Sequence, residues 1–160
     1  MFTILLSILL GLVQATHTGT VVGIVKLPDR TKPVQSARVA LLSLKYTEVW
    51  NKQVQTRLDN YWEIYKPEFA ANKQRFTDFD RMAQLEAFRY VTSFMRRDLG
   101  DASSKYLKES TGQFEFSGVP FGSYQLLVQA TVNGEEMIWS KPIVVQSEIP
   151  IFADLGKPVS

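Results

Sequence analysis

The sequence predicts a mainly β chain: a small antiparallel β-sandwich with an α-helical hairpin inserted between its second and third strands. Three observations predict it. Segments rich in β-branched residues with period-two patterning open and close the 160-residue chain. Between them, apolar residues recur every three or four positions, the spacing of an amphipathic helix. Turn residues such as Pro28-Asp29-Arg30 and Asn133-Gly134 separate the β segments from one another.

Thr18 to Leu27 reads as the first strand and is stopped by the Pro28 turn. Pro33 precedes the second strand, Ala37 to Lys45, where Ala37, Val39 and Leu41 share one face. Leu42 and Leu44 in that strand imply a bulge or burial on both sides. From Tyr46 to Glu109 the helical spacing takes over. Trp50, Val54, Leu58, Tyr61, Trp62 and Tyr65 form one stripe, with Thr47 as the expected N-cap. Lys66-Pro67 is expected to break that helix. A second stripe runs from Phe69 and Phe76 through Met82, Phe88 and Met95, with a restart expected near Asp78. Arg96 and Arg97 followed by Gly100 suit a helix C-terminus, and residues 101–110 read as a polar connection. Strands return near Gln113–Phe116, Ser123–Val132, Glu136–Val145 and Ile149–Leu155. The body therefore divides into residues 16–45 plus 110–160 as sandwich and 46–109 as helical insertion. Long insertions cost little entropy where their ends already lie close, so the insertion reads as separable.

The N-terminus is expected to be an export signal covering residues 1–15. Phe2 to Val13 is almost purely apolar, and Val13-Gln14-Ala15 suits cleavage after Ala15. The run is shorter than the roughly 20 residues that span a bilayer. An exported chain, periplasmic or extracellular, is the expectation, and the absence of cysteine points toward a bacterial envelope.

Composition narrows the chemistry further. Lys and Arg number 18 against 16 acidic residues, a near balance that argues against a dedicated nucleic-acid binder. With no cysteine, thiolate nucleophiles, thiolate metal sites and disulfides are excluded. His17 is the sole histidine and sits beside the expected cleavage site, which leaves no Ser-His-Asp triad or two-histidine metal site in the body. Asp78 and Asp80 read as helix-end charges, and Glu135-Glu136 as a solvated turn. No catalytic residue, no metal ligand and no cofactor is therefore assigned.

The most specific stretch is Thr111 to Leu126, TGQFEFSGVPFGSYQL. Gly112 opens a strand on which Phe114 and Phe116 face the same way. Val119-Pro120-Phe121-Gly122 makes a corner, and Tyr124, Leu126 and Val128 point inward from the next strand. Together with the opening Gly19-Thr-Val-Val-Gly-Ile-Val and Pro33-Val-Gln-Ser-Ala-Arg-Val-Ala-Leu, this resembles the carboxypeptidase regulatory-like domain family. The resemblance implies a Greek-key sandwich of the transthyretin (prealbumin) kind, grouped with the carbohydrate-binding-like folds. It covers the sandwich and none of the insertion, and it implies an accessory module rather than an enzyme.

The insertion holds most of the aromatic residues. One reading packs them as core; the other exposes some of them as a contact surface for a protein. Trp50, Trp62, Tyr65 and Phe69 are the candidates there. A carbohydrate-binding module is the alternative function, with Trp139, Trp62 or Trp50 as a platform for a polysaccharide.

Overall fold

The computed structural model describes residues 16–26, 34, 36–69 and 74–159, without the side chains of Phe69 and residues 74–77. The expected cleavage site at Ala15 and the side chain of Phe69 lie outside that description. Among the described residues seven strands and two long helices follow in order: β1 Thr18–Ile24, β2 Ala37–Leu42, α1 Leu44–Phe69, α2 Gln74–Leu99, a 3-10 turn Gly100–Lys105, β3 Leu107–Ser110, β4 Gln113–Pro120, β5 Gly122–Val132, β6 Glu135–Val145 and β7 Ile151–Ala153. They form a three-stranded sheet, β4-β1-β7, and a four-stranded sheet, β3-β2-β5-β6. All neighbours are antiparallel except β1 and β7. The two 26-residue helices hold about as many residues as the strands, so the chain is a mixed α/β sandwich-like fold rather than mainly β.

Three layers result, with the four-stranded sheet in the middle. Strand alternation divides its residues between two cores. Val39, Leu41, Leu126, Val128, Trp139 and Ile143 face the other sheet and meet Val21, Phe114, Phe116, Val119 and Ala153 there. Ala40, Leu42, Leu127 and Ile138 face the opposite way, onto Tyr46, Trp50, Leu85, Phe88, Val91 and Met95 of the helices. The burial of Leu42 on the second side is the two-sided burial that the apolar run of β2 implies. Ala83 and Ala87, both fully buried, let α2 approach its neighbours closely.

Local chemistry accounts for the turns. Asn133 and Gly134 both take positive φ, 53° and 82°, the backbone that a two-residue hairpin turn requires. Gly23 pairs with Phe114 across β1 and β4, and a Cβ there would fall 2.3 Å from the phenylalanine ring. Glycine is thus the residue that admits the aromatic ring over the strand.

The helical segment departs from its expected outline in four places. Its first turn begins at Leu44, and Thr47 donates its hydroxyl back to the Ser43 carbonyl at 2.9 Å instead of capping. Pro67 lies inside α1 rather than ending it. Only two residues follow it, so the missing N–H removes one bond from an exposed last turn. α2 is continuous from Gln74, with no restart near Asp78. Finally, Leu107–Ser110 is strand β3, where a polar connection was expected. Four residues at a sheet edge are too few to show a period-two pattern.

Candidate functional site

The helices run antiparallel, as their cross-contacts show: Tyr46 reaches Asp98, Arg57 reaches Glu86, and Tyr65 stacks on Phe79. Two polar clamps fix this pairing. At the base, Asp98 accepts from Lys45 Nζ at 2.6 Å and from the Tyr46 hydroxyl at 2.5 Å. Those two hydrogen bonds hold the Asp98 carboxyl below the usual range. Midway, Glu86 accepts from Arg57 Nε at 3.0 Å and from the Tyr61 hydroxyl at 2.7 Å.

Burial and then these carboxylate partners push both phenols up to about 12, Tyr46 against Asp98 and Tyr61 against Glu86. The folded chain keeps them protonated above the ordinary value of 10.0, so their contribution to stability is complete below about pH 10. It is lost as the pH rises to about 12. Melting temperatures should therefore fall over that interval. The double variant Tyr46→Phe, Tyr61→Phe should be less stable at neutral pH yet lose less between pH 10 and 12. An equal alkaline loss would show that other groups govern it.

The helices also attach to the sandwich through charge. Arg81 of α2 pairs with Glu135 at 2.7 Å and with Asp78 at 3.3 Å, and Arg89 pairs with Glu136. The Glu135-Glu136 pair beside the Asn-Gly turn is therefore an anchorage for α2, not a freely solvated turn. Sequence spacing offers no signal for it, since the partners lie 54 and 47 positions apart.

Away from these clamps the helix pair stands clear of the cores. α1 contributes Tyr46 and Trp50 to the helix–sheet core, with Val49 and Val54 packed against it, and among the described side chains nothing beyond Val54. About 20 Å of α1 follows that residue, at 1.5 Å per residue. Tyr61 and Tyr65 flank Phe79 of α2, with ring centroids 5.5 and 5.0 Å from it. Next to this stack Trp62 is 40% exposed, Ile64 67% and Tyr65 36%. Trp62 and Tyr65, three positions apart, thus share one exposed aromatic flank at the outer end of the clamped pair, while Ile64 lies on the opposite flank.

The expected site residues separate accordingly. Trp62 and Tyr65 come together in this surface. Trp50 is buried against the sheet and Trp139 lies at 1% exposure between the sheets, where its indole N–H donates to the Gly156 carbonyl. Neither presents a face to solvent, which removes both from a contact surface or sugar platform. A tryptophan at helical or strand spacing reads the same from sequence whether it faces a core or water.

The motif residues hold the sandwich. Gly112 makes the β3–β4 turn, where its N–H donates to Ser110 Oγ at 3.0 Å. Phe114, Phe116 and Val119 are buried between the sheets, with the two phenylalanine rings 6.0 Å apart. Tyr124 is half-buried and donates its hydroxyl to the Pro120 carbonyl at 2.8 Å, tying β5 to the end of β4 across a corner closed by Gly122. His17 is exposed and stacks on Phe121 at 5.6 Å.

Among the described residues no cluster of His, Cys, Asp or Glu could hold a metal ion. No described helix is long and apolar enough to cross a membrane. No family model, curated protein or solved structure matches the chain.

Proposed function

We propose that the chain is an exported, non-catalytic binding module whose outer helix end, centred on Trp62 and Tyr65, contacts a protein partner. In this reading the sandwich is a carboxypeptidase regulatory-like domain of the transthyretin-like Greek-key kind, acting as the mount. The strand arrangement supports that family: β1, β4 and β7 share one sheet while β2, β3, β5 and β6 share the other, so the chain crosses between sheets four times. Export rests on the apolar run before Ala15, and the non-catalytic reading on one exposed histidine and no cysteine.

One observation carries the binding surface. Large apolar side chains stay exposed on a helix end that two charge clamps hold in place. A surface already ordered before contact loses less entropy on binding. The test is to express the full chain with its own N-terminus in its native host, crosslink it, and recover it from the exported fraction. Wild type should begin at Thr16 and carry a specific crosslinked protein. Trp62→Ala should still fold, by far-ultraviolet circular dichroism and a cooperative melt, and lose that partner, whereas Ile64→Ser on the other flank should keep it. Retention of the partner by Trp62→Ala would sink the surface, and a chain that still began at Met1 would sink export.

A second reading, polysaccharide binding, rests on Phe152. It is 62% exposed on the outer face of the three-stranded sheet, beside a hollow of about 380 Å³ that also includes Lys26 and Asp154. Stabilisation by a polysaccharide in wild type, lost in Phe152→Ala, would replace the protein reading with this one.

A further inference from the structure

A cavity of about 220 Å³ lies where α2, the 3-10 turn and the β2–β3 edge meet, remote from the outer helix end. Phe88 and Leu107 give it an apolar floor. Arg38 of β2, Arg96 in the last turn of α2 and Ser103 of the 3-10 turn line it as well. Alternation along β2 puts Arg38 on the helix-facing side with Ala40 and Leu42.

Neither guanidinium has an ion pair or hydrogen bond among the described residues. By contrast, Arg57, Arg81 and Arg89 each grip a carboxylate. Glu109 sits opposite Arg38 in the strand register and lines the same cavity, yet the two form no ion pair. Lys108, opposite Val39, faces the other side of the sheet by the same alternation, so the two guanidiniums of Arg38 and Arg96 stand against that single carboxylate and the cavity carries net positive charge. The Ser103 hydroxyl is half-buried and likewise has no partner among the described residues.

We propose that this cavity is a phosphate-binding site, for the free anion or for a small phosphomonoester. Guanidinium forks suit oxyanions because two parallel N–H donors meet two oxygens. Here the donors come from three elements around a cavity rather than from one side. That arrangement matches a tetrahedral anion with several oxygens better than a planar carboxylate with two. The apolar floor beneath would accept the ester's organic group.

The position of Arg96 at a helix C-terminus offers a rival account, since a cation there is favourable by itself. Arg97 shares that role but does not line the cavity, which makes it the control. Isothermal titration at constant ionic strength, with inorganic phosphate and with phenyl phosphate, separates the cases. Saturable binding is expected in wild type and in Arg97→Gln. Arg38→Gln and Arg96→Gln should each weaken it at least tenfold, with far-ultraviolet circular dichroism unchanged because both side chains are exposed. Ser103→Ala, which removes a donor without a charge, should weaken it a few-fold. Tighter binding of phenyl phosphate would identify an ester as the ligand class, and equal binding the free anion. Absence of saturable binding by either probe, or an equal loss in Arg97→Gln, would overturn the site.

Discussion

Excision of residues 46–109 and replacement by a short linker is expected to abolish cooperative folding. The cut removes most of strand β3 along with both helices. It also uncovers the second face of the central sheet, where Leu42, Leu127 and Ile138 are fully buried against the helices. Full burial of such a side chain is worth about 1.5–3 kcal/mol. Three of them together approach the net stability of a typical domain, about 5–15 kcal/mol. The expected product is a collapsed chain that binds a hydrophobic dye and melts without a sharp transition. A gentler cut from Tyr46 to Lys105 spares β3 and isolates the helix contribution. If either shortened chain melted cooperatively with an all-β spectrum, the helices would be an appendage, as their sequence position implies. The structure makes them the third layer of one body.

Phe116→Ala is expected to cost about 3–5 kcal/mol, the usual penalty for truncating a buried aromatic side chain. Phe116 has no exposed surface, and its ring lies beside Phe114 at the centre of the sheet–sheet core. For a chain of this size the loss corresponds to a fall in melting temperature of about 6–20 °C. Tyr124 supplies the internal contrast. Sequence patterning makes it the equal of Phe116, but it is half-buried, and its hydroxyl holds the Pro120 carbonyl. Tyr124→Phe should cost about 1 kcal/mol, the net worth of one such bond. Denaturant titration of the two variants should rank them clearly. Equal losses would mean that the assigned inward face of β4 is wrong.

These two substitutions also mark how far the sequence can be read. Phe114 and Phe116 at period two, the Asn133-Gly134 turn and the switch to helical spacing after β2 each have local causes, and each appears where that cause acts. The helix–helix aromatic stripe is legible for the same reason. What escaped reading depends on partners distant in the chain. β3 owes its pairing to β2, some 70 positions earlier, and its four residues carry no periodicity of their own. Glu135 and Glu136 look solvated until α2 is laid beside the turn. The outer helix end was legible as aromatic but not as exposed, because exposure depends on where the sheet stops. The cavity at Arg38 and Arg96 was not legible at all. Those two arginines are 58 positions apart, and Arg96 already had a sufficient local explanation at its helix end.

The parallel pairing of β1 with β7 has a kinetic consequence. Val21 lies in register with Ile151, so β1 gains its second neighbour only after residue 151 has been synthesised. The helices and the β5–β6 hairpin close over short sequence separations, which is the fast class of event. Until then β1 has only β4 on one side and an unpaired edge on the other. A nascent chain therefore carries a β-branched strand, Thr-Val-Val-Gly-Ile, waiting through most of its own translation, which is the interval in which a chaperone would shield it.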